Sequence, residues 1–526
     1  MKRIVNALSR LSRRKRVYAL VLCAATAMAL PAQTTFTLLH SFDGTDGEHP
    51  QAALVQATNG DLYGTTYSGG IKPPHSSTSF GTAFQMSPSG TLKTIHKFCS
   101  QTAPNECLDG ASPTASLLQA PNGDLYGTTT GGGDNLNCND VSVSTGCGIV
   151  FKMTLSGTVT PIYDFCPNGS GQGDNCADGF SPKTALIQAG KLDFYGTTSL
   201  GAPQFCGAGY QCWGTVFQVM GNGTLTTLYN FCKGEDSPCP DGANPEAGLI
   251  QASDGDFYGT TFSGGAITSA CDGLGCGTVF KITSSGTLTP LHSFCAQSGC
   301  PDGSMPQTAL IQATNGDIYG VTPFGGAHGG GSIFQIANGG FTTLYSFCSE
   351  KKCADGSAPT GLIQGSDGNF YGTTSGRGAN GKGTVFEWTA SGVLMTLYSF
   401  CAQTNCTDGA TPEAGLVQDT DGTFYGTTNS GGANNKGTVF SLSTGLGPFV
   451  ETQTDSGAVR AAVTILGTGL TGATKVTFNG TSATFTVVSG TEITTAVPAG
   501  ATTGPVQVAT LGGSTLSSNV PFRVLP

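Results

Sequence analysis

Short apolar runs bounded by Gly-rich polar turns recur along most of the chain, and they come in groups of four. One group reads GLIQ ending at Gln251, FYGTT from Phe257, GTVFKIT from Gly277 and TLTPLHSF from Thr287. Runs this short, rich in Val, Ile, Thr, Phe and Tyr, predict β-strands. Between the first two lies a tight polar turn, NGD at Asn59, Asn122 and Asn315 or SDG at Ser253 and Ser366. It predicts a hairpin with a type I′ turn, in which both central positions take φ > 0. A second short Gly turn, such as SSG ending at Gly286, joins the third run to the fourth. Each group is therefore expected to fold as a four-stranded antiparallel meander.

The group repeats seven times. Its second run reads DLYGTT at Asp61 and Asp124, DFYGTT at Asp193 and Asp256, DIYGVT at Asp317, NFYGTT at Asn369 and TFYGTT at Thr423. Successive tyrosines (Tyr63, Tyr126, Tyr195, Tyr258, Tyr319, Tyr371, Tyr425) are separated by 63, 69, 63, 61, 52 and 54 residues. A meander that is apolar on both faces must stack on its neighbours, and radial stacking of four-stranded sheets predicts an all-β fold, a seven-bladed β-propeller. A solenoid is the alternative, but the ends carry a closing device. The array starts with a fourth-type run, FTLLHSF at Phe36 to Phe42, and its last group stops at a third-type run, GTVFSLS from Gly437. The first run is thus expected to complete the last sheet and remove the ring's open edge.

The motifs LIQATNGDxYGTTxxGG, GTVFKIT and TLYSF resemble the GloVer-type extracellular tandem repeat of secreted bacterial proteins over roughly residues 34–443. That resemblance implies export and surface exposure rather than a particular reaction. After Gly445 the composition changes to β-branched and small residues, with Gly turns at the spacing of an Ig-like β-sandwich. VTFNG at Val476, ITTAVPAG at Ile493 and GPVQV at Gly504 resemble the IPT/TIG module, although PFVETQTDSGAVRA at its start departs from the usual proline-glycine entry. The resemblance implies a spacer or interaction role. The expected organisation is a signal peptide over 1–32, the propeller over 33–445 and the IPT/TIG Ig-like domain over 446–526.

Composition bears on location and partners. A basic stretch (Lys2, Arg3, Arg10, Arg13 to Arg16), the apolar run VYALVLCAATAMAL and then PAQ suit a cleaved secretory signal. Its removal leaves 16 Lys and Arg against 33 Asp and Glu, which argues against nucleic acid or an anionic membrane as partner. No hydrophobic span follows it. Eighteen cysteines beyond the signal form nine close pairs: Cys99/Cys107, Cys138/Cys147, Cys166/Cys176, Cys206/Cys212, Cys232/Cys239, Cys271/Cys276, Cys295/Cys300, Cys348/Cys353 and Cys401/Cys406. Repeats that lack one member of a pair lack the other, so disulfides are expected rather than metal ligands, which would need His or further Cys at fixed offsets. No cofactor is expected.

Seven glutamines (Gln56, Gln119, Gln188, Gln251, Gln312, Gln364, Gln418) end the first runs. They either line a channel for a ligand or bond backbone between blades, and their presence in every unit favours the second role. The Asp of each DGxxP turn (Asp46, Asp109, Asp178, Asp241, Asp302, Asp355, Asp408) is expected to hold its own turn. His40, His96 and His292 stand where other units have Tyr163, Tyr229 and Tyr345, so they read as substitutions within the repeat rather than as a catalytic set. The loops between second and third runs span 14, 18, 15 and 15 residues in units one to four and 8 in units five to seven. They share one rim with the blade crossings and the Cys pairs, and Tyr210 and Trp213 are the aromatics there expected to serve as ligand platforms, although Trp213 beside Cys212 equally suits packing of the loop base. Two functions fit: a secreted or cell-surface protein binding an extracellular glycan or protein, or a carbohydrate-active enzyme, a glycoside hydrolase or lyase, that needs paired carboxylates. Glu106, Asp134, Asp140, Asp174, Glu235, Asp236 and Asp272 are acidic loop residues, but no catalytic pair can be read from them.

Overall fold

The computed structural model describes residues 34–72, 78–100, 102–103, 106–134, 138, 146–167, 176–190, 192–201, 213–232, 239–266 and 271–525. The expected signal peptide lies outside the described residues, as do Cys206, Tyr210 and Cys212. Between Thr35 and Ser443 the chain forms seven four-stranded antiparallel sheets. In six of them the strands follow chain order; in the seventh, Val417–Gln418, Phe424–Thr428 and Thr438–Ser443 take Thr35–Ser41 as their fourth strand. The closing register runs from Thr35 opposite Ser443 to Ser41 opposite Thr438.

Each position of the YGTT motif has a physical task. The glycine pairs directly with the phenylalanine of the third strand, and a Cβ at Gly64, Gly259 or Gly426 would collide with the ring of Phe84, Phe280 or Phe440. The tyrosine is largely buried, and its hydroxyl meets the turn that precedes it: Asn59 donates to Tyr63 at 3.0 Å, and Tyr258 donates to Asp254 at 2.8 Å. The first threonine reaches the next unit, as Thr128 donates to the Thr184 carbonyl at 3.0 Å and Thr373 to the Ala414 carbonyl at 2.7 Å. The second bonds the threonine that opens the third strand, Thr66 with Thr82 and Thr261 with Thr278, both at 2.9 Å. Carbonyls satisfied in this way need no ladder partner, as at Thr184 and Ala414, just ahead of the first strands Ile187–Gln188 and Val417–Gln418. First strands are two residues long in every unit but the sixth, where Ser357–Gln364 forms a full strand.

The first turn departs from the type I′ expectation. Only Gly60 takes φ > 0, while the Gly60 N–H bonds the Ala57 carbonyl and the Ala57 N–H bonds the Asp61 carbonyl. This is a three-residue hairpin loop ending in a left-handed glycine, so Thr58 and Asn59 need no special backbone. A two-residue turn with both positions at φ > 0 occurs in unit five, at Asn338 and Gly339 between the third and fourth strands.

Consecutive sheets share their cores. The phenylalanine after each fourth strand packs edge-on against the third-strand phenylalanine of the next unit: Phe98 on Phe151, Phe165 on Phe217, Phe231 on Phe280, Phe294 on Phe334, Phe347 on Phe386 and Phe400 on Phe440, with centroids 5.1–5.5 Å apart. Phe42, at the end of the closing strand, makes the same contact with Phe84 of unit one at 5.5 Å. The cluster around it joins Tyr425 and Val439 to Leu54, Leu62 and Met86, so the last sheet is packed on the first.

Beyond a short linker, Val450–Thr452, Ala462–Gly467, Glu492–Ala496 and Phe485–Val487 form one sheet, and Thr481–Ala483, Ala473–Phe478, Val506–Thr510 and Thr515–Ser517 form a second. Val463, Ile465, Val476, Phe478, Ile493 and Val508 fill the space between them. The unusual entry segment supplies the Val450–Thr452 strand and also Ser456–Ala458, which pairs in parallel with the final strand Arg523–Leu525.

Candidate functional site

The seven sheets present two rims. On the crossing rim, the chain leaves each fourth strand, passes a DGxxP turn and enters the next unit. The Asp of every such turn accepts a bond from the aromatic residue of the preceding fourth strand: His40 to Asp46, His96 to Asp109, Tyr163 to Asp178, Tyr229 to Asp241, His292 to Asp302, Tyr345 to Asp355 and Tyr398 to Asp408, at 2.6–3.0 Å. A backbone N–H joins each pair, such as that of Ser100 at Asp109 or Cys166 at Asp178. The histidines therefore do what the tyrosines do elsewhere. Burial pushes the Asp109 carboxyl up, but the donors His96 and Ser100 outweigh it and hold it below the ordinary value. At Asp178, with Tyr163 and Cys166 as donors, burial prevails and the carboxyl is raised.

Sequence reasoning missed the residue before each proline. His49, Ser112, Ser181, Asn244, Met305, Ala358 and Thr411 all take φ of 53–56°. Left-handed backbone is costly for such side chains and persists only where surrounding bonds impose it. Here the N–H of Ser112 bonds the Phe80 carbonyl of the preceding unit while its carbonyl accepts the Thr130 N–H of its own, and His49, Ser181, Asn244 and Thr411 make equivalent bridges. The residue type varies freely, so only the position marks it.

The same rim carries the bridges. Cys99–Cys107, Cys138–Cys147, Cys166–Cys176, Cys232–Cys239, Cys271–Cys276, Cys295–Cys300, Cys348–Cys353 and Cys401–Cys406 are bonded. The sulfurs of Cys138, Cys166 and Cys176 cluster, as do those of Cys271, Cys276 and Cys295, but all are already held in these bridges. Trp213 is half-buried against the cluster of Tyr195, Val216, Phe231 and Phe257, and its carbonyl accepts the Asn244 N–H at 2.7 Å. It stands at the base of its loop. Of the acidic loop residues, Asp134 stands beside Asp164, which sequence reading overlooked and whose carboxyl is raised by burial against the backbone N–H bond that Asp134 gives it. Asp140, Asp174, Glu235 and Asp236 and the side chains of Glu106 and Asp272 lie outside the described residues.

The opposite rim carries the short turns. Here the repeated glutamines tie unit to unit: Gln119 Oε1 accepts the Thr58 N–H, Gln312 that of Ser253, Gln364 that of Thr314, Gln418 that of Ser366, and Gln56 that of Thr420, across the closing seam. Between units two and three the donor position is Pro121, which has no N–H. The Ig-like domain is seated on this rim. Thr491 donates to the Thr58 carbonyl at 2.7 Å, Gln453 to Gln119 at 3.0 Å, and Arg523 to the Ala252 and Ser253 carbonyls at 2.9 and 2.8 Å. Thr420 and Thr468 join hydroxyls at 2.9 Å, and the Phe449 N–H bonds the Thr420 carbonyl. A cavity of about 270 Å³ remains between the first strands of units five to seven and this domain, lined by Ile311, Ile363 and Val417 from one side and by Phe449, Glu451 and Asp455 from the other.

With the repeat unit and the C-terminal sandwich thus defined, comparison with known families is informative. The Gloeobacter/Verrucomicrobia repeat model matches residues 25–210, 142–354 and 348–482. The chain belongs to this repeat family. The IPT/TIG domain model matches residues 450–524, the second sandwich. No curated protein matches the chain. Solved structures similar to this repeat protein include the extracellular domain of a hybrid two-component system from B. thetaiotaomicron, 12% identical with a TM-score of 0.48 over 93% of this chain and 55% of that one. The chain thus spans about half the length of that structure. A fungal alcohol oxidase of the AA5 family in complex with copper is also 12% identical, with a TM-score of 0.46 over 93% and 99% of the two chains. A protein of unknown function from B. thetaiotaomicron is 15% identical, with a TM-score of 0.39 over 78% and 76%. Among the described residues no helix is long and apolar enough to cross a membrane.

Proposed function

We propose that this repeat protein is an exported or cell-surface binding protein, in which a seven-bladed β-propeller presents its disulfide-pinned crossing rim to a glycan or protein ligand. One observation carries the reading: the Ig-like domain is bonded to the turn rim, through Thr58, Gln119, Ala252, Ser253 and Thr420. The rim opposite it bears the bridges and the long loops of units one to four. Function tends to reside on such loops over a rigid scaffold, and the seven equivalent Phe–Phe contacts supply that rigidity. Export fits the basic and apolar N-terminal stretch and the pairing of the cysteines in bridges.

The test is a glycan array probed with the mature chain, run beside a reducing-sugar assay on the same glycans. Binding without product release is the expected result; release of reducing ends would make the protein a carbohydrate-active enzyme instead. Cutting the four long loops to the eight-residue form of units five to seven should preserve the fold and abolish binding. Affinity that survives this change would place the site elsewhere.

A further inference from the structure

We propose that the half-open cavity between the Ig-like domain and units five to seven binds an organic ammonium ion, with its charged nitrogen against Glu451 and Asp455 and its aliphatic body along Ile311, Ile363 and Val417. The site lies on the rim opposite the long loops and does not depend on the ligand read for them.

The cavity exists because the seat is uneven. Hydrogen bonds from the Ig-like side reach units one, two, four and seven, through Thr58, Gln119, Ala252, Ser253 and Thr420. Among the described residues none reaches units five or six, and the gap over them is the cavity, about 270 Å³ in volume.

Its two walls differ in kind. On the ring side it is lined by the residue before the repeated glutamine in each of three units, Ile311, Ile363 and Val417, all partly exposed. The glutamines beside them are already engaged between units: Gln312 and Gln364 each accept a backbone N–H and donate to a carbonyl. On the Ig-like side Glu451 and Asp455 line the cavity and are exposed. Neither side chain has a hydrogen bond or a salt bridge among the described residues. The charges that act on Glu451, those of Asp455 and Asp419, are both negative. Arg523 acts on Asp455, but its Nη1 is already donated to the Ala252 and Ser253 carbonyls.

Unengaged carboxylate acceptors thus stand beside aliphatic surface. An anion would be repelled there, and a neutral hydrocarbon would take water from two carboxylates and give nothing in return. An alkylammonium suits both walls: its N–H groups make charge-assisted bonds to the carboxylates, and its chain covers the Ile and Val side chains. Among the described residues no third carboxylate comes close enough to complete a metal site with these two.

Calorimetric titration of the full mature chain with n-hexylammonium chloride tests the site, at about pH 8, where carboxylates are ionised and an alkylamine is charged. Saturable binding at one site is expected, with affinity rising about threefold per methylene from methylammonium through butylammonium to hexylammonium. Sodium hexanoate, with the same chain and the opposite charge, should not bind. E451Q/D455N, two changes at exposed positions, should weaken hexylammonium at least about tenfold and leave the thermal midpoint in place. No saturable binding of hexylammonium by the native chain overturns the proposal without recourse to any variant. So does equal binding of hexanoate, affinity indifferent to chain length, or undiminished affinity in the double variant.

Discussion

The two rims of the ring are built on different principles. The turn rim is made of nearly identical three-residue hairpins whose bonds are local, such as Asn59 to Tyr63, or link neighbouring units through one glutamine, such as Gln119 to Thr58. The crossing rim instead gathers an Asp, an aromatic donor and a left-handed residue at the same place in each unit, with a disulfide beside them at every crossing but the one into unit one. The simpler rim has accepted a second domain, while the heavily pinned rim carries the loops that differ most in length. A scaffold that must hold unequal loops needs its restraints under them, and that is where they lie.

This contrast can be broken most severely at Asp109, which is 0% exposed. Asp109→Ala would strand the Ser100 N–H and hydroxyl and His96 without their acceptor. A loss of about 3 kcal/mol is expected in chemical denaturation. A loss under about 1 kcal/mol would mean that the turn holds itself without the carboxylate.

Replacing Cys99 and Cys107 together by Ser frees one crossing and should cost about 2.5 kcal/mol in the chain-entropy account, with the loss appearing as a lower thermal midpoint. Unit one enters through SFDGTDG, where no cysteine pair stands and Asp43 side-chain bonds to Thr45 close the turn instead. Asp43→Ala should therefore lower the midpoint less than the double Cys change does.

On the turn rim the effects should be smaller. Asn59→Ala removes the donor to Tyr63, but the hairpin keeps its backbone bonds, so about 1 kcal/mol is expected. A cost matching that of Asp109→Ala would erase the distinction between the rims.

The subtlest test is acid stability. Asp109 is held below its ordinary value, so its contribution is complete above the ordinary Asp range and is lost as the pH falls through its depressed value. Asp178 is raised, so its contribution is complete at low pH and is lost as the pH rises through its elevated value. His96→Tyr recreates the Tyr163 arrangement in unit one. Thermal midpoints recorded from about pH 2.5 to 6 should fall less steeply on the acid side in the variant than in the native chain. Superimposable profiles would show that the aromatic partner does not set the behaviour of the carboxylate.

Much of what the seven units share was legible in the sequence. Repetition exposed the meander, the closing strand and the inter-unit role of glutamines such as Gln312. It misled at the NGD turn, because Asn-Gly suits both a two-residue turn and a three-residue loop, and the choice depends on register across the strands. It was silent about His49, Met305 and their equivalents, where the constraint falls on backbone and leaves residue type free. The seat of the Ig-like domain was unreadable for a different reason. Gln453, Thr468, Thr491 and Arg523 each occur once, and a contact made once leaves no pattern to recognise.

The pairing of Thr35–Ser41 with Thr438–Ser443 also sets an order of events. The strand that emerges first finds its partner only after about 400 further residues have appeared, so the ring is the last thing the molecule can complete. Until then both strands are exposed edges at risk of pairing with other chains. The edge-to-face contact of Phe42 with Phe84 eases that wait, since unit one can shelter the end of the early strand long before unit seven exists.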